Sequence, residues 1–222
     1  MSRKLTRNLF LALALGVAVG ASAHAADRYD IDPVHSSVGF KVRHLASYTT
    51  GVFTDFKGTI MLDEENIVNS GVEATIQVAS IDTNNEDRDN HLRTEDFFHV
   101  EKYPVMRFAS KKVAKGADNT FKVTGELMMH GVTKEVTLDV EYFGRMALSP
   151  DKPPRAGFSA SAELNRKDYG IVWNKVLDAG GLVLGETVKI SIEIEAIMQG
   201  WKPLPGGGKS QKGGMEHPIQ RK

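Results

Sequence analysis

Apolar and polar side chains alternate along most of this 222-residue chain. Val38, Phe40 and Val42, for example, lie two residues apart and are separated by a glycine and a lysine. Because successive side chains of a β-strand point to opposite faces of the sheet, this period predicts strands with one buried and one solvated face. The same alternation recurs in the segments 56–62, 72–78, 106–108, 121–129, 136–142, 158–164 and 188–194. The chain is therefore predicted to form about eight strands.

The links between most of these segments are short, as expected for antiparallel neighbours. An all-β fold follows, in which half-buried antiparallel strands pack as a sandwich or close into a barrel. Two segments depart from the alternation. The segment 87–100 is predicted to be a short helix or a compact loop, and 165–185 to be one long, glycine-punctuated loop. Long loops of this kind often carry function.

Strands of about ten residues with one apolar face also occur in outer-membrane barrels, where that face meets lipid. Two features disfavour such an arrangement. The segment 201–222 is a polar tail instead of a final membrane strand, and the polar face of one strand carries three acidic residues. These charges would be forced together in the narrow lumen of an eight-stranded barrel. We therefore expect the apolar faces to point inward.

The first 25 residues have the features of a secretory signal peptide. Three basic residues precede an apolar run at 9–21, and an A-x-A cleavage sequence follows at 23–25. The run is shorter than the ~20 residues that a transmembrane helix needs, so no integral membrane span is predicted. The expected organisation is a signal peptide (1–25), a single β-domain (26–200) and a flexible tail rich in Pro, Gly and Lys (201–222).

Composition limits the cellular location and the kinds of chemistry that are open to this protein. The chain has 28 Lys and Arg, 28 Asp and Glu, and no Cys. Removal of residues 1–25 takes away three basic groups and leaves 25 basic against 28 acidic residues, so no nucleic-acid partner is expected. Zero cysteines exclude disulfides, thiolate metal sites, a Cys nucleophile and a thiol-linked lipid anchor. An exported protein of this kind is expected in the periplasm of a Gram-negative host.

The interior of an eight-stranded barrel can be filled by side chains or can hold one ligand. Small residues on the predicted inward faces are Gly58, Ala74, Gly125, Ala160, Ala162 and Ala196. They either leave room for a ligand or accommodate taper and bulges, as glycines in strands often do. In the first case the predicted contacts of an apolar ligand are Val38, Phe40, Val42, Phe56, Ile76, Phe108, Gly125, Leu127, Leu138, Phe158, Ala160, Ala162, Ile190 and Ile192.

A cluster of polar residues lies in the segment without alternation: Arg88, Asp89, His91 and Arg93. They form either the solvated face of a helix or a polar collar at the mouth of a pocket. A collar would meet an anionic head group through charge-assisted hydrogen bonds. Arg88 and His91 therefore join the predicted ligand-binding residues.

The sequence contains no recognised catalytic or metal-binding motif. The histidines that follow residue 25 are His35, His44, His91, His99, His130 and His217, and none has the spacing of H-E-x-x-H. G-x-S-x-G, the P-loop and G-x-G-x-x-G are also missing. Hydrogen-bonded histidines near strand ends are the simplest interpretation. The alternatives are a secreted hydrolase or metal enzyme that uses His35, His91 or His130, and a structural barrel without a ligand.

A series of short motifs resembles the YceI family. In order they are YDIDPVHS at 29–36, FKGTI at 56–60, RDNHLR at 88–93 with DFF at 96–98, YP at 103–104, GELMMHGVT at 125–133 and NRKDYGI at 165–171. The series spans nearly the whole predicted domain, which makes the match specific, and the basic tail lies outside it.

The resemblance implies a periplasmic, non-enzymatic protein with an extended, eight-stranded, lipocalin-like barrel. Such a protein binds a long isoprenoid, a quinone-like or fatty lipid, or a similar amphiphile, and is often a homodimer. The resemblance implies no catalytic residues and no metal or other cofactor.

Overall fold

The computed structural model describes residues 26–178 and 182–203. Within them lie the strands β1 (Asp27–Ile31), β2 (Ser37–His44), β3 (Ser47–Phe53), β4 (Phe56–Leu62), β5 (Gly71–Gln77), β6 (Ile81–Asp82), β7 (Val105–Lys115), β8 (Thr120–Met129), β9 (Val132–Met146), β10 (Arg155–Asn165) and β11 (Leu184–Met198), and the helix α1 (Glu86–Arg93). Short 3-10 turns span Ile67–Asn69, Val78–Ser80 and Arg166–Tyr169. The predicted signal peptide and the predicted tail from residue 204 onward lie outside the described residues.

The strands close into an antiparallel ring. The neighbours run in the order β1-β4-β5-β7-β8-β9-β10-β11, and β11 pairs again with β1. β1 and β2 follow one another along the same edge of β11. On their other side, β3 pairs with β2 and β4 pairs with β1. In the next position of the ring, β5 pairs with β4 and β6 pairs with β3. The eleven strands occupy eight positions of the ring, because three of those positions each hold two strands separated by an interruption. The prediction of an eight-stranded barrel with one short helix is thereby confirmed.

Two of the three interruptions are explained by local structure. Between β1 and β2, the Asp32 side chain accepts a hydrogen bond from the Val34 backbone N–H at 3.0 Å, and Pro33 fixes the turn. The Ser36 hydroxyl donates to the Glu195 carbonyl and accepts from the Glu195 N–H, which replaces the missing ladder bonds. Between β5 and β6, the Val78–Ser80 turn interrupts the strand.

Fully buried side chains close one end of the barrel. Tyr29, Leu62, Ala156 and Ala196 are at most 2% exposed and pack in one cluster, which we call the closed end. At the opposite end, α1 and the segment 166–173 pack over the strands. We call this the helix end. The apolar phase of the strands points inward, as expected from the alternation.

Candidate ligand-binding cavity

The barrel encloses a cavity of about 620 Å³ between its two ends. Its wall consists mostly of aliphatic and aromatic side chains, the majority of them from the inward faces of the strands. Typical small-molecule sites have volumes of ~300–1,000 Å³ and are mostly apolar, so the cavity has the size and character of a ligand site. Ala74, Ala160 and Ala162 are among the lining residues and leave the space that larger side chains would fill.

All but one of the predicted site residues line the cavity. The predicted residues that line the cavity are Val38, Phe40, Val42, Phe56, Ile76, Phe108, Leu127, Leu138, Phe158, Ala160, Ala162, Ile190, Ile192, Arg88 and His91. Their contact with a ligand stays a prediction. Gly125 is not part of the lining.

At Gly125 the prediction of open space is wrong. A Cβ atom at this position would lie 2.4 Å from the Ala109 carbonyl oxygen and 2.7 Å from the ring of Phe108. The register of β7 against β8 shifts between Ser110 and Lys112, and Gly125 permits this close approach of the two backbones. Gly58 is similar, since its Cβ would lie 2.7 Å from the Glu73 carbonyl oxygen. Ala74, Ala160 and Ala162 therefore open the cavity, whereas Gly58 and Gly125 serve backbone packing. Ala196 lies in the packed closed end, so the expectation of open space there is wrong as well.

Part of the wall comes from segments without alternation and was not predicted. Leu92, Phe97, Phe98, Ile171, Trp173 and Leu184 cover the helix end of the cavity. The His91 ring meets Phe97 and Trp173 edge to face, with ring centroids 5.0 Å apart in both pairs. A period-two pattern gives no signal for side chains that reach the cavity from a helix or a loop.

The cavity reaches solvent at the helix end. Of its lining residues within the described ranges, His44, Asp87 and Arg88 are also exposed, and we call this opening the mouth. His44 ends β2, whereas the other two belong to α1, so the mouth lies between the β2–β3 hairpin and the helix. Among the described lining residues, the charged and imidazole side chains therefore lie at one end of a mostly apolar space.

Hydrogen bonds from α1 to the segment before it occupy most of the polar groups of the predicted collar. Arg88 donates from Nε and Nη2 to the hydroxyl and carbonyl oxygens of Thr83, both at 2.7 Å. Buried Asp89 accepts from the Thr83 N–H and hydroxyl. Arg93 is not a lining residue, because its guanidinium donates to the carbonyls of Ala79 and Ile81 instead.

The histidines proposed for catalysis or metal binding are bound to separate partners. His91 Nε2 lies 2.8 Å from Asp96, and His130 Nδ1 lies 2.9 Å from the Tyr169 carbonyl oxygen. His35 belongs to the group Asp32–His35–Glu195, whose potential ligand atoms lie within 4.8 Å of one another. Arg155 Nη1 binds both carboxylates of this group and so already supplies the compensating cation.

Arg166 borders the helix end of the cavity and was not predicted as a site residue, although it belongs to the motif NRKDYGI. Its side chain is buried at 4% exposure. Nε donates to the Gly185 carbonyl at 2.9 Å, and Nη1 donates to the carbonyls of Ile171 and Trp173 at 2.8 Å. Burial lowers the pKa of the guanidinium below its ordinary value. Through its three hydrogen bonds to backbone carbonyls, Arg166 fixes the loop that covers the helix end.

The YceI-like domain matches residues 29–196 of the chain. The chain belongs to the YceI family. A YceI relative in Photorhabdus laumondii, the UPF0312 protein plu2095, is 42% identical over 163 residues, which cover 70% of this chain and 84% of the relative. The resemblance inferred from the motifs is thereby confirmed.

Solved structures agree with this fold. The YCEI protein of Campylobacter jejuni is 33% identical, with a TM-score of 0.59 over 68% of this chain and 85% of that protein. A domain from Saccharophagus degradans, described as polyisoprenoid-binding, is 18% identical, with a TM-score of 0.57 over 79% of this chain and 99% of that domain. In the described part of this YceI-family chain, no helix is long and apolar enough to cross a membrane.

Proposed function

We propose that this protein is a periplasmic carrier that holds the chain of an isoprenoid or a similar long amphiphile inside its barrel, and that it is not an enzyme. The apolar cavity of about 620 Å³, with its polar mouth, is the observation that carries the proposal. The name of the Saccharophagus degradans domain, which shares the fold, supports a polyisoprenoid as the ligand. The signal-like sequence at 1–25 supports a periplasmic location.

Apolar burial is large enough to provide the affinity. Each buried methylene contributes ~0.8 kcal/mol, so ten methylene equivalents give roughly 8 kcal/mol before the costs of association. A micromolar Kd corresponds to about 8 kcal/mol net. Since a long prenyl chain offers several times ten carbons, it reaches this affinity without a strong polar contact. A protein of this kind needs few conspicuous sequence motifs.

Organic extraction of the mature protein, purified from the periplasm of an expressing Gram-negative host, tests the proposal. Mass spectrometry of the extract should identify a long-chain lipid at about one equivalent per barrel. The delipidated protein should then bind a C20 prenyl alcohol with a micromolar or lower Kd. A stoichiometric divalent metal instead of lipid would favour the enzyme alternative. If the extract contains no lipid and the protein does not bind the prenyl alcohol, a purely structural barrel is favoured.

A further inference from the structure

One polar atom at the helix end of the cavity has no hydrogen-bond partner. The Nη2 atom of Arg166 is buried and makes no hydrogen bond, although Nε and Nη1 of the same group are bound to backbone carbonyls. A buried donor left without an acceptor costs ~1–3 kcal/mol, and more when the group is charged. Arg166, a residue that lines the apolar cavity, therefore has one unused donor.

The charge of Arg166 is also uncompensated. Within residues 26–178 and 182–203 its guanidinium forms no ion pair. Glu186 affects its electrostatics, but the carboxylate of Glu186 lies 2.6 Å from the Nζ atom of Lys167. A buried cation is ordinarily paired, because its desolvation is costly.

The guanidinium cannot easily turn to find another acceptor. Its three bonds to the carbonyls of Gly185, Ile171 and Trp173 fix the orientation of a planar, rigid group. Nη2 is therefore held in one place within a residue that lines the cavity, where neighbouring atoms cover it. A ligand oxygen that displaces this cover can supply the missing acceptor.

We propose that Arg166 Nη2 binds an anionic oxygen of the ligand's head group, so that the protein prefers carboxylated or phosphorylated long-chain lipids to neutral ones. This inference rests on the proposed lipid-carrier function. The apolar chain then extends from the helix end toward the closed end. Arg88 contributes less, because it is exposed to water and its Nε and Nη2 are bound to Thr83.

The test compares three ligands of equal length on the delipidated wild-type protein: a C20 prenyl alcohol, the corresponding prenoic acid and the prenyl monophosphate. At least one anion should bind about ten- to a hundred-fold more tightly than the alcohol, as a charge-assisted hydrogen bond provides. Which anion shows the preference distinguishes a carboxylate from a phosphate head group. Equal affinities for all three ligands would overturn the inference and leave the carrier function intact, whereas no binding of any would overturn the carrier function.

Matched variants then assign the preference to one arginine. Arg166→Lys should reduce the preference for the anion over the alcohol several-fold, whereas Arg107→Lys, at an exposed position outside the cavity lining, should leave both affinities unchanged. An anion preference that survives in Arg166→Lys would contradict the inference.

The Arg166→Lys change removes loop contacts, so a measurement on the wild type is needed as well. Side-chain ¹⁵N NMR of arginine-labelled protein should show a shift of the Arg166 guanidinium signals with the anion and a much smaller shift with the alcohol. Equal shifts with both ligands would overturn the inference even if the variant fails to fold.

Discussion

Alanine and glycine have different roles on the inward faces of this barrel. Ala160 borders the cavity, whereas Ala156 on the same strand and the same face is 1% exposed within the packed closed end. The two alanines are equivalent in the sequence pattern, since both alternate with outward-facing residues. Only the position of each along the barrel axis distinguishes open from filled space.

The substitution Ala160→Phe should fill the cavity without displacing packed side chains. We expect an unfolding midpoint close to that of the wild type for the delipidated protein, together with a large loss of affinity for a C20 prenyl alcohol. In Ala156→Phe, the matched control, overpacking should cost ~1–3 kcal/mol or more. Thermal unfolding and ligand titration of both variants provide the measurements. A similar drop in the midpoint for the two would show that the cavity is not open at Ala160.

The substitution Gly125→Ala should lower the free energy of unfolding by ~1–3 kcal/mol, because the new methyl group would overlap the Ala109 carbonyl and the Phe108 ring. Affinity for the prenyl alcohol should change little at temperatures where the variant is folded. At Gly157, the control position, an added Cβ would be no closer than 3.4 Å to any atom, so Gly157→Ala should be nearly neutral. Chemical denaturation checks both values, and a stable Gly125→Ala protein would contradict the packing described here.

The elements of this barrel differ in how far the sequence predicts them. β1 and β3 were not predicted, whereas the strands with long apolar alternation were. In β3 the inward phase carries Thr49 and Gly51, whose side chains give no hydrophobic signal, and β1 has only five residues. The cavity wall was predictable where it consists of alternating strands. The role of Arg166 was not predictable, because it depends on the carbonyls of Ile171, Trp173 and Gly185, which only the folded chain brings together.

The interruption between β1 and β2 should depend on pH through Asp32. The hydrogen bond from His35 lowers the pKa of Asp32 below 3.8, and those from the Val34 N–H and Arg155 act in the same direction. The folded state therefore favours the ionised carboxyl. Its stabilising contribution is complete above about pH 4 and is lost as the pH falls through the lowered pKa.

The substitution Asp32→Asn should accordingly reduce the free energy of unfolding at pH 7 by ~1.5–3 kcal/mol, as expected for hydrogen bonds to a charged group. The difference from the wild type should shrink as the pH falls below 3.8. Asp30 is the matched control, since its ion pair with Arg28 is exposed and worth ~0–1 kcal/mol. Urea denaturation between pH 2.5 and 7 would show these differences, and an Asp32→Asn effect that does not vary with pH would contradict the assignment.

At the scale of the whole molecule, we predict that the protein is exported and that its signal-like segment is removed. We expect the mature protein to begin at Ala26, because 23–25 has the small residues that signal peptidase requires. Intact mass spectrometry of the periplasmic fraction checks this start. Ala25→Phe should block cleavage and raise the mass to that of the full chain. A wild-type protein that retains Met1 in the cytoplasmic fraction would contradict export.

The pairing of β1 with β11 also determines how the chain folds. Tyr29 lies opposite Met198, so ring closure joins residues from nearly opposite ends of the described domain. A fold with such high contact order typically folds in milliseconds to seconds, because a long loop must close before these contacts form. A growing polypeptide cannot complete the ring until β11 has left the ribosome. Until then the edges of β1 and β10, which pair with β11 in the closed ring, remain unpaired and prone to aggregation.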